Sequence, residues 1–133
     1  MSISLKEKDV KKNCLSIKVL FSHGNGDNTS SRETNVEIPV NRKDLIEKIM
    51  KETFSFIKDI ERKVSLGVDI DDMDLNIDID KCNRDIAFFD VEGINVMIGL
   101  DTDNYSSDLC YAKPYYALFE YFDEDGKCFT VKL

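Results

Sequence analysis

Between Val68 and Asp80 the chain reads V-D-I-D-D-M-D-L-N-I-D-I-D, with apolar and acidic residues alternating almost without a break. Period-two alternation marks an extended segment with one face buried and the other wet. Met73, Leu75, Ile77 and Ile79 form one inward set, and Leu66, Val68 and Ile70 form another. The two sets differ in parity, so a turn or bulge is expected at Asp71-Asp72. In a tight hairpin Asp69 then lies opposite Asp74. Like charges placed so destabilise a sheet by up to about 1 kcal/mol. Fold stability gives no reason for that arrangement: either solvation tolerates it or something cationic neutralises it.

Elsewhere the pattern is more ordinary. Residues 1–13 read as a basic, polar lead. Cys14 to His23 is a strand with Leu15, Ile17, Val19 and Phe21 on one face, followed by a loop of Gly, Asn, Asp and Ser from Gly24 to Ser31. Arg32 to Val40 alternates through Val36, Ile38 and Val40 and suits an antiparallel partner. From Asn41, a candidate cap, Leu45, Ile46, Ile49, Met50, Phe54, Ile57, Ile60 and Val64 recur at helical spacing. Asp44–Lys48, Glu47–Lys51 and Asp59–Lys63 sit four apart with the acid first, the more stabilising order, and Gly67 marks the stop. Ile86–Val91 and Ile94–Leu100 flank Glu92-Gly93 as a hairpin. Tyr115–Phe122 begins after Pro114, and Asp125-Gly126 predicts a two-residue turn into a last strand from Cys128 to Val131. The expected fold is α+β: a single domain, 1–133, with one antiparallel sheet of about six to eight strands and one main helix (about 41–64) on one face.

Composition changes the picture in one respect. At 42% apolar and 33% charged the chain is ordinary for a globular domain, and its eight phenylalanines argue against disorder. The net charge is −8, yet residues 69–108 alone carry twelve acids against two bases. The rest of the chain is slightly positive. Asymmetry of this kind bears on partners and association rate. It disfavours direct contact with nucleic acid or an anionic membrane, and it favours a basic protein or a divalent cation. No apolar run approaches the ~18 residues of a membrane span, and the N-terminus lacks the apolar core of a signal peptide, so a cytoplasmic location is expected. Cysteines 14, 82, 110 and 128 are scattered with no C-x-x-C and read as reduced thiols.

Motifs for chemistry are weak. Gly24-x-Gly26 lacks the third glycine and precedes a strand, so it fails as a dinucleotide fingerprint. Asp74-x-Asn76-x-Asp78-x-Asp80, with Asp85 at the twelfth position, imitates an EF-hand loop, but Ile79 stands where the sharp turn needs glycine. His23 is the single histidine, so any Ser-His-Asp or Cys-His scheme passes through it, and no nucleophile has a recognisable setting. No catalytic residue, metal or cofactor is therefore assigned. Tyr105 and Tyr111 lie in or beside the acidic stretch Asp101–Asp108, where a tyrosine can anchor an interface.

In size, acidity, mixed build and absence of a catalytic motif, the chain resembles the immunity proteins of bacterial toxin–immunity pairs. That resemblance implies a non-catalytic inhibitor that occludes a basic partner such as a toxin nuclease. The expected contact residues are Asp69, Asp71, Asp72, Asp74, Asp78, Asp101, Asp103, Tyr105 and Asp108. Three other readings compete with it: mimicry of nucleic acid toward a DNA-processing enzyme, a calcium or small-ligand module, and an enzyme using carboxylates.

Overall fold

A computed structural model describes residues 12–23, 28–68, 73–79, 85–101 and 112–131. Strands β1 (Cys14–His23) and β2 (Asn28–Glu37) lead through a 3₁₀ turn (Val40–Leu45) into the helix α1 (Ile46–Ser65). Then come β3 (Ile77–Ile79), β4 (Asp85–Val91), β5 (Ile94–Gly99), β6 (Lys113–Phe122) and β7 (Cys128–Val131). The fold is α+β, but the strands form two antiparallel sheets, ordered β2-β1-β6-β7 and β3-β4-β5, not the single sheet the sequence suggested.

β1 is internal to the larger sheet because its alternation is that of a strand needing cover along its whole length. Leu15, Ile17, Val19 and Phe21 are fully buried. They lie opposite Val36, Thr34, Arg32 and Ser30 of β2. On the other side Leu15, Ile17 and Val19 meet Tyr121, Phe119 and Ala117 of β6. Ile49, Met50 and Ile57 of α1 and Val91, Ile94, Val96 and Ile98 of β4–β5 close over this face in one cluster. A smaller cluster of Ile60, Met73, Ala87 and Leu100 continues it, with Val64, Val68 and Leu75 packed around.

The two sheets meet where β5 lies against β2. There β2 presents polar side chains inward, and these bond to main-chain carbonyls of the second sheet: Thr34 Oγ1 donates to Met97 O at 2.5 Å, and Arg32 Nη1 to Leu100 O. The approach is close enough that a Cβ added to Gly99 would stand 2.9 Å from Arg32 Cβ. Side-chain donors thus occupy positions that a continuous sheet would fill with backbone bonds. That is why alternation, which reads only inward and outward, gave one sheet.

Other expectations shift locally. Asn41 does not cap a helix: the 3₁₀ turn follows Pro39, and α1 begins only at Ile46. Val40, expected on a strand's inward face, starts that turn and is exposed. Of the three expected ion pairs on α1, Glu47–Lys51 and Asp59–Lys63 form, whereas Asp44 faces Arg42. Gly67, at φ +87, follows the helix end as expected. Leu66, assigned to a strand by alternation, is the helix C-cap and 70% exposed. The expected Glu92-Gly93 hairpin is present, both residues having positive φ. The last hairpin is longer than the two-residue turn predicted. Phe122 pairs with Cys128, and Phe129 with Tyr121. Asp123 organises that loop: its Oδ1 accepts from the Asp125 and Lys127 amides, Gly126 N donates to Asp123 O, and Gly126 sits at φ +79. Asp123 N also donates to Lys127 O, which leaves the three residues Glu124 to Gly126 as the turn, with the glycine in the left-handed region.

Two substitutions check the packing. Gly99→Ala forces β5 off Arg32, and overpacking of this kind costs about 1–3 kcal/mol in urea denaturation. Thr53 is fully buried on α1, and its hydroxyl meets no partner among the described residues. Thr53→Val keeps the shape and removes the unbonded hydroxyl, so stability should rise by about 1 kcal/mol. A loss of stability would mean that the hydroxyl is bonded.

Candidate functional site

Polar chemistry collects in two places. One is the end at which β1 leads into β2. His23, opposite Asn28 in register, holds Nε2 2.7 Å from Ser30 Oγ and 3.2 Å from Asp101 Oδ2, and Ser30 Oγ donates to the same Asp101 oxygen at 2.7 Å. Because the single Ser30 proton goes to Asp101, Nε2 must carry the proton that faces Ser30. The histidine and aspartate side chains are 8% and 13% exposed. A hydrolytic triad places the hydroxyl on one ring nitrogen and the carboxylate on the other. Here both converge on Nε2, and the serine hydroxyl donates its hydrogen bond to the carboxylate instead of to the histidine. The arrangement ties the end of the β1–β2 hairpin to the segment leaving β5.

The other place is the edge of the second sheet. β3 is three residues long and pairs, among the described residues, only with β4. Phe88 N donates to Asn76 O at 3.1 Å, one step beyond the Ile77–Ala87 pair. Antiparallel ladders alternate bonded and non-bonded pairs. Asp78 and Ile86 therefore form the next bonded pair, and the main-chain groups of Ile77 and Ile79 point away from β4. On that open side Asp78 Oδ1 accepts the Ile79 amide at 2.8 Å.

The side chains of this edge depart from the expected inward set. Met73 is buried and Leu75 partly so, but Ile77 and Ile79 are 37% and 59% exposed. Residues 73–76 are not strand, so within the described part of that alternation, 73–79, only Ile77–Ile79 is strand. Asp74 and Asp78 are exposed, and neither makes an ion pair among the described residues. The helix behaves differently: Glu47, Asp59 and Glu61 each meet a lysine or arginine of α1. Glu92 at the β4–β5 turn meets Lys48 and Arg42, and Glu124 meets Lys43.

Among the expected contact residues, Asp74 and Asp78 thus stand in water at or beside one sheet edge. Asp101 is turned inward to His23 and Ser30. Asp69, Asp71, Asp72, Asp103, Tyr105 and Asp108 lie outside the described residues, as do the expected turn at Asp71-Asp72 and Asp80 of the EF-hand-like run. No group of three or more His, Cys, Asp or Glu side chains gathers as a metal cage among the described residues. A groove of about 420 Å³ between β2 and the β4–β5 turn is lined by Cys14, Val36 and Ile94 with Asn35, Glu37 and Asn95, and by no basic side chain. Sequence reasoning missed the exposed isoleucines, because alternation assigns every apolar position to the core. It also missed the Ser30–Asp101 bond, which joins residues 71 apart. No family model matches the chain, and no curated protein or solved structure is significantly similar to it.

The paired carboxylates set an acid limit to stability. Hydrogen bonds from Lys48 to Glu92, Lys43 to Glu124, and Lys63 and Arg62 to Asp59 hold these carboxyls below their ordinary values. The unfolded chain then binds protons at a pH where the folded chain does not. Their contribution is complete above the ordinary values of 4.5 for Glu and 3.8 for Asp, and it is lost as the pH falls through the lower folded values. The melting temperature should drop as acid is added below pH 4.5, and Glu92→Gln should make that drop shallower. Equal acid slopes for the two proteins would remove Glu92 from the account.

Proposed function

We propose that this chain is a non-catalytic, cytosolic binding protein that docks a basic protein on the acidic edge of its second sheet. An immunity-type inhibitor of a cationic toxin is the role that fits best. The observation that carries the reading is the setting of two unpaired carboxylates. Glu47, Asp59 and Glu61 of the helix and Glu92 and Glu124 at two turns meet cations of the same chain. Asp74 and Asp78, like Glu33, Glu37 and Glu52, have no ion pair among the described residues. What sets Asp74 and Asp78 apart is that they stand at or beside the exposed Ile77 and Ile79. Unpaired surface acids cost little and create a field. That field steers a positive partner and raises its association rate, with a strong dependence on salt. Apolar side chains beside the acids supply the dry contact that a field alone lacks. Standard interfaces bury about 1,200–2,000 Å² in total, more than three residues provide. The expected contact residues Asp69, Asp71, Asp72, Asp103, Tyr105 and Asp108 lie outside the described residues and belong to the same acidic stretch of sequence.

Cytochrome c serves as a cationic probe in titrations at low salt. Asp74→Lys with Asp78→Lys should weaken its binding by about tenfold or more, as expected when interfacial charges are reversed. Glu47→Lys with Glu61→Lys changes the net charge by the same amount on α1 and should have a much smaller effect. Equal losses in the two variants would show that only total charge matters, and the acidic edge would no longer be the site.

A further inference from the structure

We propose that the edge of β3 takes its partner by strand addition: an extended segment with alternating apolar and basic residues pairs with Ile77–Ile79 and becomes the fourth strand of the second sheet. This rests on the reading above and specifies its binding mode. Three observations carry it. The main-chain groups of Ile77 and Ile79 point away from β4, and no other strand among the described residues pairs with them, so the edge offers donors and acceptors in strand register. Ile77 and Ile79 share one face of that edge and are both exposed, two residues apart, which is the spacing of alternate side chains on an added strand. Asp78 lies between them on the other face, exposed and without an ion pair among the described residues.

Together these fix the occupant's chemistry. Apolar side chains of the incoming strand sit beside the two isoleucines, and its lysine or arginine sits beside Asp78, an opposite-charge cross-strand pair. A second copy of this chain is a poor occupant. Antiparallel β3–β3 pairing centred on residue 78 sets two aspartates against each other, and the chain's net charge of −8 adds to the repulsion. Proteins guard edges against self-association with short strands and charges. β3 has both, yet its charge is one that a cationic strand satisfies. The bond from Ile79 N to Asp78 Oδ1 is the device that changes hands. In the free chain the carboxylate covers the amide. On pairing, the amide passes to a carbonyl of the incoming strand and the carboxylate turns to its cation.

The test uses the full chain and two synthetic peptides of alternating valine and lysine. One is unmodified. The other is N-methylated on every second residue, so that one hydrogen-bonding edge is blocked while charge and side chains are unchanged. The unmodified peptide should bind and should slow hydrogen exchange at the Ile77 and Ile79 amides. The methylated peptide should bind about tenfold more weakly or worse, as the loss of about two hydrogen bonds implies. Equal binding of the two peptides, or binding without protection of those amides, overturns strand addition while leaving the acidic docking site in place. Failure of both peptides where cytochrome c still binds at Asp74 and Asp78 has the same meaning. Failure of the peptides and of cytochrome c alike removes both proposals.

Discussion

The burial of one strand organises the molecule. Leu15, Ile17, Val19 and Phe21 of β1 leave no surface to water, so β1 requires a strand on each side and a cover on its face. β2 follows it directly and supplies one neighbour. The other is β6, which returns from the far end of the chain, and α1 and the β4–β5 hairpin form the cover. Removing one such side chain costs about 2–5 kcal/mol. Domains of this size are stable by only about 5–15 kcal/mol. A single truncation in β1 therefore spends a large part of the total. At the opposite extreme stands β3, with three residues, both isoleucines exposed and, among the described residues, one strand for a neighbour. The fold depends little on it, which leaves it available for contact with something else.

Between these extremes runs the seam where β5 meets β2. Arg32 and Thr34 occupy inward positions that a continuous apolar face would fill with Val or Ile, and they bond to the carbonyls of Leu100 and Met97. Each bond satisfies a main-chain acceptor that a sheet ladder would otherwise have to reach. Farther along β2, Ser30 continues the polar row and holds Asp101 and His23. The seam thus has a polar logic throughout: side chains of β2 anchor the backbone and the end of the second sheet. These hydrogen bonds act beside the apolar packing of Val91, Ile94, Val96 and Ile98 against the core of the first sheet.

How much of this was legible depends on distance along the chain. The β1 and β4–β5 alternations, the α1 stripe, the Gly67 stop and the Glu92-Gly93 turn are local signals, and each stands where the sequence placed it. The split into two sheets was not legible, because alternation says which side of a strand is dry but not which strand lies next to it. Thr34 and Arg32 read as ordinary polar positions until their acceptors, more than sixty residues away, are known. Ile77 and Ile79 failed for a related reason. The period-two rule assumes that something covers the apolar face, and a strand without that cover exposes residues the rule buries. Asp78 and Asp101 carry the same charge in the same acidic stretch. One ends in water and the other against a histidine, and nothing near either residue in sequence foretells the difference.

That last contrast bears on what the charge is for. Had the middle of the chain been acidic only to keep the protein soluble, its carboxylates would be as well placed on α1, where lysines and arginines already neutralise several of them. Asp74 and Asp78 instead stand on or beside a three-residue strand, next to two exposed apolar side chains and a backbone edge that no other described strand pairs with. Long-range attraction and short-range complementarity usually act through different residues, the first at the rim of an interface and the second at its centre. On β3 they are one residue apart. A cation drawn to Asp78 would therefore arrive within reach of the main chain of Ile77 and Ile79, so under the proposed strand addition one residue would serve both attraction and register.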